Sequence, residues 1–145
     1  DSAEFIIRPD NFIIPEEASN VHGITTEKAI KEGVDLDIVL NKFNELVNEA
    51  NFIVAHNISF DEKIIGAEFL RRDIASVFDV TPKLCTMKAS TDYCEIPGPY
   101  GYKWPKLQEL HHKLFGFEFE EAHNAAADIH ATAKCFWELR RLGIL

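Results

Sequence analysis

The chain has 145 residues, and this length predicts a single domain over residues 1–145 with one hydrophobic core. Hydrophobic residues make up 46% and charged residues 27% of the chain, a balance that excludes disordered, collagen-like and coiled-coil proteins. The net charge of −9 argues against a protein that coats nucleic acid through bulk positive charge. It does not exclude a nuclease, because metal-binding carboxylates contribute to an acidic balance.

The first quarter of the chain predicts little regular structure. Residues 5–8 (FIIR) favour a short strand that a proline ends, and residues 11–24 are mostly irregular. Thr25 or Thr26 is a suitable N-cap for a short helix that ends at Gly33.

The middle of the chain predicts a helix, a strand and a second helix in succession. Asp35 is a good N-cap, and the residues after it have the spacing of one amphipathic helix face. That face comprises Leu36, Val39, Leu40, Phe43, Leu46 and Val47. Residues 52–55 (FIVA) form a continuous apolar run, which is typical of a strand covered on both faces. A helix over residues 60–72 is expected to turn four side chains inward, those of Phe60, Ile64, Ala67 and Leu70.

The rest of the chain continues the alternation of strands and helices. We expect a second strand near residues 83–86 and a loop over residues 95–102. Pro105 suits the first turn of a helix that Gly116 ends, and the last helix covers residues 124–142. This order predicts an α/β fold with a mixed sheet flanked by helices.

Three cysteines, an odd number without CxxC spacing, support neither a disulfide framework nor a zinc site. They are Cys85, Cys94 and Cys135, and they predict reduced thiols in a cytoplasmic protein. No stretch of the chain approaches 18 consecutive apolar residues, and the N-terminus lacks the pattern of a signal peptide. We therefore expect no membrane association.

The segment AHNISFD (residues 55–61) joins a predicted buried strand to a helix whose first turn holds Asp61. In a purely structural interpretation, Asp61 favours the helix N-terminus while His56 and Asn57 form the turn. In a functional interpretation, the helix terminus keeps Asp61 ionised at the carboxyl end of a strand, where open α/β sheets bind ligands. Both interpretations stay open on this segment alone.

The segment HNAAAD (residues 123–128) holds a second pair of polar side chains. Five residues of helix turn the chain by about 500°, so His123 and Asp128 would not share a face if both were helical. His123 must therefore lie at or before the helix start for both to reach one site. The structural alternative is a capping histidine and a solvated aspartate.

These segments, with VHGIT (residues 21–25) and WPKLQEL (residues 104–110), resemble the DEDDh 3′-to-5′ exonuclease superfamily. The greatest similarity is to the proofreading epsilon subunits of bacterial DNA polymerase III. The second motif of the family, HNxxFD, is matched by His56, Asn57, Phe60 and Asp61. The third motif, HxAxxD, is matched by His123, Ala125 and Asp128.

The resemblance implies an RNase H-like fold and a hydrolytic site. It assigns Asp61 and Asp128 as metal carboxylates and His123 as the general base. It places the substrate near four further side chains, those of His22, His56, Asn57 and Phe60. Oxygen ligands imply two Mg²⁺ ions, or Mn²⁺ in their place. Two such ions and a histidine of ordinary pKa can activate water at neutral pH.

The first motif of the family, an aspartate and a glutamate two residues apart, is not matched in this chain. Asp1 and Glu4 are three apart, and residues 5–8 resemble the third strand of the family rather than its first. We therefore expect a domain without its first two strands, in which residues 5–8 have no neighbouring strand and metal binding is weak.

The function that the resemblance implies is a metal-dependent exonuclease acting on a single-stranded 3′ end, with DNA favoured over RNA. Its partners would be that 3′ end and a DNA polymerase subunit. Two alternatives stay open: a binding or interaction module without catalysis on the same fold, and an RNA-trimming exoribonuclease. A purely structural domain would show no response of its thermal stability to Mn²⁺.

Overall fold

A computed structural model describes residues 2–119 and 124–145. His123 lies outside these residues. The helices and strands follow one another in the order α1 (Glu16–His22), α2 (Thr26–Glu32), α3 (Leu36–Glu49), β1 (Ile53–Ala55), α4 (Ile58–Arg71), β2 (Lys83–Cys85), α5 (Thr86–Ala89), α6 (Thr91–Cys94), β3 (Pro97–Gly98), β4 (Gly101–Tyr102), α7 (Leu107–Phe115) and α8 (Ala125–Arg141).

The strands form two separate pairs. Strand β1 is parallel to β2, with Val54 opposite Leu84, and α4 lies in the connection between them. Strands β3 and β4 form an antiparallel hairpin in which Gly98 faces Gly101. The predicted α/β class is therefore confirmed, and the carboxyl ends of β1 and β2 lie side by side.

The predicted starts of helices α2 and α3 are confirmed by their N-cap hydrogen bonds. The Thr25 hydroxyl accepts a hydrogen bond from the Lys28 amide at 3.1 Å, and the Asp35 carboxylate accepts one from the Asp37 amide at 2.9 Å. Each side chain satisfies a backbone amide that has no partner within its helix. The caps therefore fix the starts of both helices.

The prediction of a strand at residues 5–8 was wrong, as was the expectation that this segment has no pairing partner. Ile7 forms a single parallel bridge with Val34. The Arg8 amide donates to the Val34 carbonyl at 2.9 Å, and the Val34 amide donates to the Ile6 carbonyl at 2.9 Å. The segment therefore pairs with the residues after α2, an association that a sequence pattern does not encode.

Helix α1 lies inside residues 11–24, which were predicted to be mostly irregular. It begins after Pro15, whose carbonyl accepts from the Ser19 amide at 3.0 Å, and it ends at Gly23 in the left-handed conformation with φ 71°. None of its residues is buried. The helix was missed because it has no apolar stripe, although proline before it and glycine after it are typical boundary signals.

Two clusters of buried side chains form the core. The first joins α3, α4 and the segment before β2 through Leu40, Val47, Phe69 and Phe78. The second joins α6, α7 and α8 through Cys94, Leu110, Cys135 and Leu139. The second cluster packs α6 and α7 against α8.

The predicted inward face of α4 was wrong. Phe60, Ile64 and Leu70 are exposed, whereas Ile58 and Phe69 are buried. Apolar residues occur on every side of this helix, so their spacing does not define one face. Tertiary packing selects the buried face.

Candidate active site

A cleft lies where the carboxyl end of β1, the first turn of α4 and the first turn of α8 meet. Its volume is about 460 Å³, and six of its lining residues are His56, Asp61, Leu107, Asp128, Thr132 and Phe136. It therefore contains both aspartates of the two predicted motifs. Separate parts of the chain, 67 positions apart in sequence, supply them.

Asp61 is in the first turn of α4. The helix follows Asn57, which takes the left-handed conformation with φ 68°, so the chain reverses sharply between the strand and the helix. Asparagine tolerates this conformation better than most residues. The turn therefore directs the first turn of α4 towards the cleft.

Burial raises the pKa of Asp61 above its ordinary value, and the hydrogen bond from its own backbone amide opposes this only partly. Loss of hydration is therefore the largest influence on this carboxyl, and a cation in the cleft would lower its pKa. That the helix terminus keeps Asp61 ionised stays a prediction.

Asp128 is in the first turn of α8, whose start is well defined. The Asn124 side chain accepts hydrogen bonds from the amides of Ala126 and Ala127 at 3.0 and 3.2 Å. Asn124 therefore acts as the cap that positions Asp128.

Both ring nitrogens of His56 form hydrogen bonds within the chain. Nε2 lies 3.0 Å from the carbonyl oxygen of Pro105, and Nδ1 lies 3.0 Å from the Thr86 hydroxyl. A carbonyl oxygen can only accept, so Nε2 carries the proton, and Nδ1 of the neutral ring accepts from Thr86. Burial is the largest influence and lowers the pKa of His56, while the bond to Pro105 and the charge of Asp128 raise it.

The other predicted substrate residues lie outside the cleft lining. Asn57 forms the turn before α4, and Phe60 is exposed on the first turn of that helix, next to Asp61 in sequence. His22 ends α1, and its Nδ1 accepts from the Ile24 amide at 3.1 Å. The structure thus brings together His56, Asp61 and Asp128, but not the VHGIT segment.

Several residues that contact the site were not predicted. Thr86 and Pro105 hold His56, while Thr132 and Phe136 line the cleft one and two turns after Asp128. Thr86 could have been found, because it follows β2 and the carboxyl ends of neighbouring parallel strands share one edge.

The two aspartates suit a hard divalent cation. Carboxylate oxygens are preferred ligands of Mg²⁺ and Mn²⁺, and Mg²⁺ is usually held by one or two carboxylates with water in the remaining positions. In the described parts of the chain, no group of three or more histidine, cysteine, aspartate or glutamate side chains is arranged to hold a metal ion. Asp61 and Asp128 therefore fit as part of a ligand shell.

Residues 1–136 match the family model named RNase T, which describes an exonuclease. The chain belongs to this exonuclease family. The predicted resemblance to DEDDh exonucleases is therefore confirmed at the level of the family. None of the curated proteins has a significant match to the chain.

A solved structure of E. coli exonuclease I in complex with a dA16 oligonucleotide shares the fold of this RNase T family member. The TM-score is 0.74 at 20% sequence identity, and the match covers 94% of this chain. It covers 32% of the exonuclease I chain, so this chain spans about a third of that protein's length. The likeness confirms the RNase H-like fold. Among the described residues, no helix is long and apolar enough to cross a membrane.

Proposed function

We propose that the protein is a metal-dependent 3′-to-5′ exonuclease that removes nucleotides from a single-stranded 3′ end. One observation carries this proposal: Asp61 and Asp128, from two motifs far apart in sequence, line the same cleft. Membership of the exonuclease family supports it. Exonuclease I, which shares the fold, was crystallised with an oligonucleotide of deoxyadenosine, and this favours DNA as the substrate.

Asp61 and Asp128 would hold Mg²⁺ or Mn²⁺ in this proposal. When bound, two such ions supply activation of water and stabilisation of charge on the leaving 3′ oxygen. Burial raises the pKa of Asp61, and a nearby positive charge would lower it and favour the ionised carboxylate.

His123 would act as the general base that takes the proton of the attacking water. An imidazole of ordinary pKa is suited to this role near neutral pH. His56 cannot act as the base in the conformation observed, because both ring nitrogens are hydrogen-bonded. It would instead hold the wall of the cleft that contacts the terminal nucleotide, with Asn57 and exposed Phe60 beside the substrate.

The biological role proposed is proofreading, in the manner of the epsilon subunits of DNA polymerase III, with a polymerase subunit as the partner in the cytoplasm. This part rests on the HNxxFD and HxAxxD motifs.

The test uses the longest natural form of the protein that contains these residues. Single-stranded DNA and RNA of one sequence, labelled at either end, are incubated with the protein in Mn²⁺. We expect immediate release of 3′-labelled mononucleotide, a descending ladder from the 5′-labelled strand, and faster cleavage of DNA. Binding without release would favour a module without catalysis, and faster cleavage of RNA would favour an exoribonuclease.

A further inference from the structure

The hairpin of β3 and β4, with the residues that continue it, presents a strip of exposed aromatic rings. Tyr100, Tyr102 and Trp104 are 103%, 51% and 61% exposed. Tyr100 is in the turn of the hairpin. Pairing continues past β4 because the Lys103 amide donates to the Ile96 carbonyl at 2.9 Å. In an extended segment, alternate side chains lie on the same face, so Tyr102 and Trp104 share one face. We call these three residues the aromatic strip.

The base of the aromatic strip is fixed to the rest of the protein. Lys103 Nζ lies 2.6 and 2.8 Å from the two carboxylate oxygens of Glu109, and the Lys106 amide donates to the same carboxylate at 2.7 Å. Pro105 is fully buried, and its carbonyl accepts from His56. The Trp104 end of the strip is therefore held against the rest of the protein, while its three rings stay exposed.

The Trp104 end of the aromatic strip is close in sequence to the cleft. Trp104 precedes Pro105, which holds His56, and both His56 and Leu107 line the cleft that contains the two aspartates. A strand that left the cleft past Pro105 would meet Trp104 first and then the hairpin.

The charges near the strip are of both signs. The Tyr102 hydroxyl lies 3.5 Å from a carboxylate oxygen of Glu95. Lys106, His112 and Lys113 line a groove together with Glu109 and Glu118. The charge of Glu109 is balanced by Lys103, an ion pair that lowers the pKa of this carboxyl. The exposed cation Lys106 follows Trp104 by two residues.

We propose that Tyr100, Tyr102 and Trp104 form a stacking surface for the bases of a single strand upstream of its 3′ end. Flat aromatic rings stack with any base, and such surfaces combined with cations bind single strands with little sequence preference. Aromatic rings also occur in protein interfaces. Closeness in sequence to the cleft and the exposed cation Lys106 favour nucleic acid here. The proposal rests on the proposed nuclease function.

The two tryptophans of the chain provide a direct test, since Trp104 and Trp137 are 61% and 64% exposed. Trp137→Phe leaves Trp104 as the sole indole, and Trp104→Phe leaves Trp137 as a matched control. Each variant is titrated with a 12-residue oligothymidine in EDTA, where metal-dependent hydrolysis does not consume the strand. We expect quenching of Trp104 emission that saturates, and unchanged Trp137 emission.

A second ligand, an abasic strand with the same number of phosphates, separates stacking from charge. We expect it to bind roughly 5- to 150-fold more weakly, which is the range for loss of base stacking. Unchanged Trp104 emission, or equal affinity for the two strands, would overturn the proposal and leave the aromatic strip to a protein partner. Because this measurement requires no hydrolysis, quenching without nuclease activity would overturn the proposed catalysis alone.

Discussion

The Nε2 atom of His56 lies 3.0 Å from the carbonyl oxygen of Pro105. This hydrogen bond connects the turn after β1 to the segment before α7, two parts of the chain 49 residues apart. It closes one side of the cleft and fixes the proton on one ring nitrogen. His56, which sequence motifs place near the substrate, thus also has a structural role.

Replacement of His56 by alanine should destabilise the protein by about 1–3 kcal/mol, because the buried Pro105 and Thr86 lose the partner that their carbonyl and hydroxyl groups share. Urea unfolding at pH 7.5 measures this. The control is His22→Ala, which removes one exposed hydrogen bond and should cost less than about 0.5 kcal/mol. Equal effects of the two substitutions would contradict the structural role of His56.

The contribution of His56 should also depend on pH. Burial lowers the pKa of His56 in the folded protein below its ordinary value of 6.5. The unfolded chain therefore takes up the proton first, and the stability from the neutral ring is present above pH 6.5 and lost as the pH falls through the folded pKa. The difference in unfolding free energy between wild type and His56→Gln should be larger at pH 7.5 than at pH 5.5. A difference that grows on acidification would contradict this prediction.

Asp61→Asn should raise the urea midpoint at pH 7.5 while removing the proposed metal ligand. Burial raises the pKa of Asp61, so its charge opposes folding at neutral pH, and the uncharged amide of asparagine relieves that cost.

In wild type, Mn²⁺ at ten times its dissociation constant should add about 1.4 kcal/mol to stability. Calorimetry should show this gain in wild type and in the exposed control Asp92→Asn, but not in Asp61→Asn. A gain of equal size in Asp61→Asn would place the metal elsewhere.

Gly33→Ala should destabilise the N-terminal part of the chain. A Cβ at position 33 would overlap the Ala29 carbonyl oxygen and lie 2.7 Å from the Arg8 amide nitrogen, both of them backbone atoms. The segment paired through Ile7 and Val34 would have to move away. We expect faster amide exchange at Arg8 and Val34 and an unfolding free energy lower by about 1–3 kcal/mol. A Cβ at position 23 would have no atom within 4 Å. In Gly23→Ala, therefore, only the left-handed backbone conformation opposes the substitution.

The sequence predicted those elements whose signals are local. Thr25 and Asp35 cap α2 and α3 as predicted, and the apolar run that ends at Ala55 is β1. The pairing of Ile7 with Val34 and the buried face of α4 depend on contacts between distant segments, which spacing does not specify.

The candidate site also combines features that the sequence predicted with contacts between distant segments that it did not. The resemblance to DEDDh exonucleases predicted that Asp61 and Asp128 share one site, and the cleft contains both. The bond from His56 to Pro105 was not predictable, because no local pattern relates residues 49 positions apart. The pKa of Asp61 depends on how deeply the cleft is buried, which also has no local signal.

The most direct test of the account compares mononucleotide release from a 3′-labelled single strand in Mn²⁺ by wild type, Asp61→Asn, Asp128→Asn and the control Asp92→Asn. Loss of residues that merely orient metal ligands costs 10- to 100-fold, so loss of a ligand should cost at least about 100-fold. We expect that loss in both cleft variants and full activity in the control. Activity within about twofold of wild type in either cleft variant would contradict a catalytic site formed by Asp61 and Asp128.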